Sequence, residues 1–279
     1  MQVLNTKNEL VILAARLKKE GKKIGFVPTM GALHEGHLSL VKESKKNSDI
    51  TIVSIFVNPP QFNDPEDLKR YPRTLEQDVT LMESVDCDIL FAPSVEEIYP
   101  EPDTRKFDFG YLESIMEGAK RPGHFNGVGQ VVSRLFDIVS PDKAFFGMKD
   151  FQQVAIIRHM VKQLKYNIEI IACPIVREEN GLAKSSRNTL LDKEHKENAP
   201  HIYETLKKAR NFVPEMGVKE MKKWITEEIN SNPFLETEYV EIVDDTTLKI
   251  VENWSEPGKK VACVAVYAGK IRLIDNIVF

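Results

Sequence analysis

A short apolar run that leads directly into an amphipathic segment constrains the fold of this chain more than any other feature. The run Ile24-Gly25-Phe26-Val27 is bounded by Pro28 and predicts a buried parallel strand. It is followed by Thr29-Met30-Gly31-Ala32-Leu33-His34-Glu35-Gly36-His37, and then by residues 38–44, whose apolar positions have helical spacing. Two glycines and two histidines therefore lie where a strand ends and a helix begins. In open α/β sheets, nucleotides bind at this position.

The residue types in this turn suit a polyphosphate. A helix N-terminus offers backbone N–H groups and a positive partial charge, glycines allow close approach, and imidazoles donate hydrogen bonds without a permanent charge. Two alternatives remain open. His34-Glu35-Gly36-His37 is one residue shorter than the His-Glu-x-x-His motif of zinc proteases and contains a glycine, which argues against zinc. A glycine- and histidine-containing turn can also be purely structural.

Composition and length indicate a globular protein that is long enough for two domains. The chain has 279 residues, of which 42% are hydrophobic and 29% charged. A formal net charge of −4 argues against non-specific nucleic-acid binding. The three cysteines are distant in sequence and odd in number, so we expect buried thiols in a reducing compartment. Because neither a signal-peptide core nor a membrane-spanning run is present, we expect a cytoplasmic protein.

Strand and helix patterns alternate through the first two-thirds of the chain. The predicted strands are 24–27, 50–57, 88–91, 143–146 and 168–172, and the predicted helices among them include 75–85, 127–139 and 151–164. This alternation predicts a parallel, Rossmann-like sheet with right-handed crossovers over residues 1–175. The loop 58–72 is rich in Pro, Asn and Asp, and its length suggests an active-site loop.

The pattern changes near residue 176. Helices are predicted at 192–212 and 218–229, followed by strands at 238–243, 261–267 and 271–278. The last two strands are joined by a hairpin-like turn, Ala268-Gly269-Lys270. We therefore predict a smaller α+β domain over residues 176–279.

Two further segments suit a nucleotide. Lys184-Ser185-Ser186-Arg187 combines two cations with two hydroxyls, although a solvated basic loop has the same composition. In Gly147-Met148-Lys149-Asp150 the lysine can reach a phosphate and the aspartate can accept from ribose, or Asp150 can simply cap the next helix. No P-loop is present, and Gly127-Val128-Gly129 lacks the third glycine and the preceding strand of a dinucleotide motif.

Taken together, segments along nearly the whole chain resemble the pantothenate synthetase family. The resemblance rests on residues 28–37, Phe56-Val57-Asn58-Pro59-Pro60-Gln61-Phe62, Tyr71-Pro72-Arg73-Thr74, Arg121-Pro122-Gly123-His124-Phe125, residues 146–150, Gln152-Gln153, Val176-Arg177-Glu178, Lys184-Ser185-Ser186-Arg187-Asn188 and Arg272-Leu273-Ile274-Asp275-Asn276. The number and order of these segments, rather than any single one, make the resemblance specific.

The resemblance implies an activity. Members of this family, part of the nucleotidylyltransferase group, join (R)-pantoate to β-alanine through a pantoyl-adenylate, with ATP and Mg²⁺, and release diphosphate and AMP. They are generally homodimers that associate through the larger domain. Two alternatives are a coenzyme adenylyltransferase of the same group and a non-catalytic ATP-binding regulator.

The resemblance also implies roles for particular residues. His37 is expected to be the proton donor, and His34 and Lys149 assist catalysis. Gln61 is expected to bind pantoate and β-alanine, and Gln153 and the neutral amide of Asn58 to bind pantoate. The implied ATP-binding residues are Met30, Gly31, Ala32, Leu33, His34, Glu35, Gly36, His37, Gly147, Met148, Lys149, Asp150, Val176, Lys184, Ser185, Ser186 and Arg187.

Three positions depart from the family pattern. Met148 stands where relatives often have Glu, and Pro60 where they often have Met or Leu. Gln77 stands where some relatives carry an acidic residue, so Asp78 is the remaining protein candidate for a Mg²⁺ ligand.

Overall fold

Two units make up the chain in the computed structural model, which describes residues 1–279. Unit 1 consists of Met1–Met148 and Ile156–Pro174, and unit 2 of Lys149–Ala155 and Ile175–Phe279. No helix in either unit is long and apolar enough to cross a membrane.

Unit 1 is built on a six-stranded sheet in which every paired strand is parallel to its neighbour. Its strands are β1 (Gln2–Leu4), β2 (Ile24–Thr29), β3 (Ile50–Ile55), β4 (Ile89–Phe91), β5 (Lys143–Gly147) and β6 (Glu169–Cys173). Five of the six confirm predicted strands. The three-residue edge strand β1 was not predicted, because so short a segment has no measurable periodicity.

The strand order is β1-β4-β3-β2-β5-β6. From β2 the chain adds β3 and β4 on one side, and then β5 and β6 on the other. The direction of winding therefore reverses between β2 and β5. In open α/β sheets, ligands bind beyond the carboxyl ends of the two strands at such a reversal. The turns that begin at Met30 and Met148 follow these two strands.

The prediction that Pro28 bounds β2 is wrong, because the strand continues through it to Thr29. Pro28 pairs with Ser54 of β3, whereas on the other side β5 pairs only with Gly25 and Phe26. Strand prolines are tolerated where no neighbour requires their missing N–H.

Helices cover the sheet and fill the connections between its strands. They are α1 (Lys7–Lys19), α2 (Glu35–Asn47), α3 (Pro65–Arg70), α4 (Leu75–Ser84), α5 (Val95–Ile98), α6 (Met116–Lys120), α7 (His124–Val139) and α8 (Phe151–Gln163). Helix α1 was not predicted, although Thr6 and Glu9 form a capping box at its start that the sequence shows.

Unit 2 contains an antiparallel sheet of three strands in the order β7-β8-β9. The strands are β7 (Leu235–Asp244), β8 (Lys260–Ala268) and β9 (Ile271–Val278), and the helices are α9 (Lys193–Asn198), α10 (His201–Ala209) and α11 (Val218–Asn230). One apolar face of α10 and α11 packs on this sheet, with Leu206 and Ile225 fully buried. The α/β class with a smaller α+β part is thus confirmed.

The single helix predicted over 192–212 is divided at Pro200 into α9 and α10. Proline has no N–H for an intrahelical bond and restricts the residue before it, so a continuous helix is disfavoured there. The last three residues of the predicted helix form a 3-10 turn, Arg210–Phe212.

Candidate active site

The turn between β2 and α2 is fixed by hydrogen bonds to its backbone. The Asp78 carboxylate accepts from Ala32 N at 3.0 Å and from Leu33 N at 2.8 Å. Gly31 and Ala32 both have positive φ, 79° and 50°, a conformation that favours glycine. A Cβ on Gly31 would lie 3.1 Å from Asp78 Oδ2. The carboxylate therefore stabilises a backbone conformation that residues other than glycine seldom adopt.

Asp78, the predicted candidate for a Mg²⁺ ligand, accepts hydrogen bonds from the turn in this structure. Asp78 is only 1% exposed, and Thr74 Oγ1 donates to it at 3.3 Å in addition to the two backbone groups. These bonds use most of the carboxylate's capacity to accept. In the sequence, an acidic residue at the first turn of α4 cannot be told from a ligand, because its partners are 45 and 46 residues away.

His34 and His37 cap the start of α2 reciprocally. Gly36 N donates to His34 Nδ1 at 3.1 Å, and His34 N donates to His37 Nδ1 at 3.3 Å. The two rings lie 4.1 Å apart between centroids. A ring nitrogen that accepts a hydrogen bond carries no proton, so each neutral imidazole holds its proton on Nε2. Both side chains are thus oriented as Nε2–H donors at a helix N-terminus.

This capping changes how the turn can hold an anion. We expected backbone N–H groups at the start of α2 to bind phosphate, but Gly36 N donates to His34 Nδ1 and His37 N to His34 O. The imidazole Nε2–H groups and the positive end of the helix dipole still attract an anion there.

The loop after β3 carries Asn58 and Gln61, two of the three amides that we predicted to bind pantoate. Asn58 is 1% exposed; its Nδ2 donates to Gly127 O at 3.1 Å and its Oδ1 accepts from Tyr99 OH at 2.8 Å. Because a carbonyl only accepts, Nδ2 must face Gly127 and the Tyr99 hydroxyl must be the donor. Asn58 therefore keeps one N–H and one lone pair for any further partner.

Gln61, at the end of the 3-10 turn Pro59–Gln61, is positioned by the segment that begins α7. The backbone carbonyl oxygen of Gln61 lies 2.9 Å from His124 Nδ1 and 3.5 Å from an Arg121 guanidinium nitrogen. Gly127 makes this packing possible, since a Cβ there would lie 2.5 Å from Pro60 O and 2.9 Å from Gln61 Cα. The Gln61 side chain is half-buried.

A charged network supports the Tyr99–Asn58 pair. The guanidinium of Arg134 lies over the Tyr99 ring at 5.1 Å and donates to Asp103, whose side chain is 2% exposed. Burial raises the pKa of Tyr99 to about 12, so the hydroxyl keeps the proton that it donates to Asn58. Hydrogen bonds from Arg105 and Arg134 hold the pKa of Asp103 well below its usual value.

In unit 2, residues 176–184 form a hairpin that precedes the Lys-Ser-Ser-Arg segment. Lys184 N donates to Val176 O at 3.0 Å, and Glu178 N donates to Leu182 O at 2.8 Å. Between them Arg177 pairs with Ala183 and points to the other face. There its guanidinium contacts Asp275 at 2.6 and 2.9 Å and lies 3.6 Å from the centroid of the Tyr203 ring.

The Lys-Ser-Ser-Arg segment leaves the hairpin and forms a short 3-10 turn, Ser186–Leu190. Lys184 Nζ lies 2.9 Å from Glu178 Oε2 on the same face of the hairpin. Ser185 Oγ accepts from Arg187 N at 3.3 Å, and Asn188 Nδ2 donates to Ala183 O at 3.1 Å. Local contacts thus order Lys184, Ser185 and Arg187 of this segment.

Lys149 and Asp150 follow β5 and also belong to unit 2. Asn276 Nδ2 of β9 donates to Lys149 O at 3.2 Å, which ties this turn to the antiparallel sheet. Lys149 Nζ lies 3.6 Å from Asp150 Oδ1. Gln153 is half-buried in the first turn of α8. The predicted ATP-binding residues are therefore divided, with 30–37, Gly147 and Met148 in unit 1 and the others in unit 2.

The chain shows no cluster of three His, Cys, Asp or Glu side chains that could hold a metal ion. This donor set does not suit a resident metal. It is compatible with Mg²⁺ that arrives with nucleotide phosphates, because Mg²⁺ commonly keeps waters and few protein ligands.

Comparison with known proteins places the chain in a family. The sequence model described as pantoate-beta-alanine ligase matches residues 2–278. The chain belongs to the pantoate–β-alanine ligase family. Relatives named pantothenate synthetase include those of Bacteroides fragilis, 54% identical over 99% of this chain and 98% of the relative, and Porphyromonas gingivalis, 51% identical over 99% of both.

Solved structures agree with this membership. The crystal structure of pantothenate synthetase from Thermus thermophilus has a TM-score of 0.92 at 42% identity, covering 99% of both chains. Pantoate-beta-alanine ligase from Francisella tularensis, complexed with beta-gamma ATP and beta-alanine, has a TM-score of 0.84 at 38% identity. It covers 100% of this chain and 97% of that one.

The positioning roles of several residues were not predicted, and Asp78 was predicted only as a candidate Mg²⁺ ligand. Asp78, Tyr99, Arg121, His124 and Gly127 act on the backbone or amides of the predicted residues. Only Gly127 left a direct signal, since a glycine inside an otherwise apolar helix indicates a close backbone approach.

Proposed function

We propose that this chain condenses (R)-pantoate with β-alanine in an ATP-dependent reaction and releases AMP and diphosphate. The observation that carries the proposal is the pair of Nε2–H donors of His34 and His37 at the start of α2, in a chain that belongs to the pantoate–β-alanine ligase family. The turn that holds them follows β2 at the reversal of the sheet, where α/β proteins bind nucleotides.

The first step joins pantoate to the nucleotide. A pantoate carboxylate oxygen attacks the α-phosphorus of ATP, the bond from that phosphorus to the bridging oxygen breaks, and diphosphate leaves. The carboxylate is already ionised, so no side chain has to remove a proton. Negative charge grows on the phosphate oxygens, and donors fixed before the reaction stabilise it most. His34, His37 and Lys149 are assigned this work as hydrogen-bond donors. To be the proton donor that the family resemblance assigns, His37 would have to become an imidazolium, because a neutral imidazole does not release its Nε2 proton.

The other nucleotide contacts are assigned by family resemblance. Residues 1–175 would carry the ATP and pantoate sites, and residues 176–279 would add the Lys-Ser-Ser-Arg segment. Mg²⁺ would be bound by the phosphates of ATP rather than by a protein cage. The proposed ATP-binding residues are Met30, Gly31, Ala32, Leu33, His34, Glu35, Gly36, His37, Gly147, Met148, Lys149, Asp150, Val176, Lys184, Ser185, Ser186 and Arg187.

Pantoate is assigned to the neutral amides of Asn58, Gln61 and Gln153. A neutral amide orients a carboxylic acid without the tight ion pair that would reduce its nucleophilicity. In the second step the amine of neutral β-alanine attacks the carbonyl carbon of pantoyl-adenylate, and AMP leaves. Gln61 is assigned a second contact here, to β-alanine.

A cytoplasmic location and a homodimeric state complete the proposal. The three cysteines are free and buried, which suits a reducing compartment. Light scattering coupled to size-exclusion chromatography tests the dimer.

Oxygen labelling tests the chemistry. Label placed in the pantoate carboxylate should appear in AMP, one atom per turnover, because an acyl-adenylate shares one carboxylate oxygen with the α-phosphate. AMP release should also require pantoate, β-alanine and ATP together. Label in inorganic phosphate, or ADP as product, would demand an acyl-phosphate and would refute the proposal.

A further inference from the structure

The ammonium of Lys184 already has an anionic partner in this structure. Glu178 Oε2 lies 2.9 Å from Lys184 Nζ, and the two side chains are 36% and 16% exposed. The residues are brought together by the hairpin register, in which Val176 lies opposite Lys184 and Glu178 lies opposite Leu182. Side chains two positions apart on one strand share a face, so the pair is a diagonal contact across the hairpin.

The hairpin that carries this pair is firmly anchored on its other face. Arg177 makes a bidentate contact with Asp275, which is almost completely buried, and stacks on the Tyr203 ring. Burial raises the pKa of Asp275, and the Arg177 guanidinium opposes that rise. The backbone positions of Glu178 and Lys184 are therefore fixed, and what remains adjustable is the contact between their side chains.

We propose that Glu178 is an internal anion that competes with nucleotide phosphates for Lys184 and so sets the affinity for ATP. This inference rests on the proposed function, in which Lys184 binds ATP. In the nucleotide-free protein the carboxylate holds the ammonium. A triphosphate carries more charge and displaces it, and the carboxylate takes the ammonium back as diphosphate leaves. Glu178 is thus an affinity-determining residue and not a catalytic one.

If Glu178 competes with ATP for Lys184, removing the Glu178 charge must strengthen ATP binding. The free energy of the Glu178–Lys184 contact is lost when ATP binds, so it is subtracted from the binding free energy. Partly exposed ion pairs contribute little, which corresponds here to about a two- to fivefold change in dissociation constant. A residue that merely oriented Lys184 toward ATP would give the opposite sign.

The chain offers a matched control one residue away. Glu179 is exposed and lies in the turn of the same hairpin. Glu179→Gln removes the same charge from the same segment without touching the Glu178–Lys184 contact. Lys184→Met removes the ammonium and closes a double-mutant cycle with Glu178→Gln.

The experiment measures the dissociation constant of a non-hydrolysable β,γ-imido ATP analogue at low salt for the full-length chain and these variants. Glu178→Gln should bind the analogue about two- to fivefold more tightly, and Lys184→Met should bind it more weakly. In the Lys184→Met background, Glu178→Gln should give only the small change that Glu179→Gln gives. High salt should reduce the difference in affinity between Glu178→Gln and the native chain, because ions screen a partly exposed pair.

Steady-state kinetics give a second readout. The Michaelis constant for ATP should fall in Glu178→Gln while that for pantoate stays constant, and diphosphate should become a stronger product inhibitor. Weaker analogue binding by Glu178→Gln, a change equal to that of Glu179→Gln, or an undiminished effect in the Lys184→Met background would overturn the inference. The proposed function would survive each of those results as long as the native chain releases AMP in a pantoate-dependent reaction.

Discussion

Single residues in this site act mostly by fixing the direction of a donor. The Nδ1 atoms of His34 and His37 each accept a hydrogen bond from a backbone N–H, so the ring proton is on Nε2. The sequence shows that two histidines stand at a strand-to-helix turn. It does not show which ring nitrogen carries the proton, because that depends on a three-dimensional capping arrangement. The sequence thus predicted the position of the two histidines at the turn, but neither their protonated ring nitrogen nor their orientation.

Replacing His37 tests its assigned role. His37→Ala should lower the rate of pantoyl-adenylate formation by a factor on the order of 10² or more, because it removes a donor from the charge that develops on phosphate. The measurement is single-turnover AMP or diphosphate release with saturating substrates. Thermal unfolding should change only modestly, since the substitution removes a half-buried ring and the one capping bond from His34 N. Turnover close to that of the native chain would rule out the role.

Helices and loops position the site through contacts from side chains to backbone groups of segments that are distant in sequence. Alternation of apolar runs predicted five of the six parallel strands, and the motifs that we assign to the site lie in turns and loops after those strands. Periodicity could not predict that α4 supplies the Asp78 carboxylate to the turn before α2, nor that the start of α7 holds the Gln61 carbonyl. These contacts join residues 45 to 63 positions apart, and a pattern along the chain carries no information about them.

Asp78→Asn tests whether the carboxylate supports the turn or binds a metal. An amide can accept at only one of its two ends, so one of the Ala32 and Leu33 N–H groups would face an NH₂ group. We expect a loss of about 1–3 kcal/mol in the free energy of unfolding and weaker use of ATP. The Mg²⁺ concentration for half-maximal activity should not change. Glu76→Gln, an exposed position on the same helix, serves as the control.

Gly127→Ala tests the packing of α7 against the substrate loop. The added methyl would meet the backbone of Pro60 and Gln61, so the loop must move away from α7. We expect the Michaelis constant for pantoate to rise severalfold, with a much smaller change for ATP. The matched control is Gly217→Ala, where a Cβ would meet nothing within 4 Å. Equal rises for both substrates would contradict the assignment of this loop to pantoate.

At the scale of the whole molecule, both units contain buried charge as well as apolar packing. Unit 1 buries Asp103 between Arg105 and Arg134, and unit 2 buries Asp275 against Arg177. The architecture of both units was predictable, because it follows from hydrophobic patterning. The charged partners were not, because a charged residue in sequence is far more often exposed than buried.

The Asp103 cluster predicts how stability responds to acid. Hydrogen bonds from Arg105 and then Arg134 lower the pKa of Asp103 in the folded chain below its value in the unfolded chain, about 3.9. A lowered folded-state pKa stabilises the fold above the unfolded-state value, and this contribution is lost as pH falls below about 4 toward the folded-state pKa.

Asp103→Asn removes the contribution at neutral pH. We expect a loss of about 1–3 kcal/mol in the free energy of unfolding, less than for a fully buried pair because both arginines are partly exposed. Urea unfolding between pH 3 and about 7 measures both effects. The difference between the native chain and Asp103→Asn should narrow as pH falls, whereas Glu101→Gln, exposed in the same loop, should unfold like the native chain at every pH. A difference that stayed constant down to the lowest pH would show that the cost of Asp103→Asn comes from altered packing and not from the charge of Asp103.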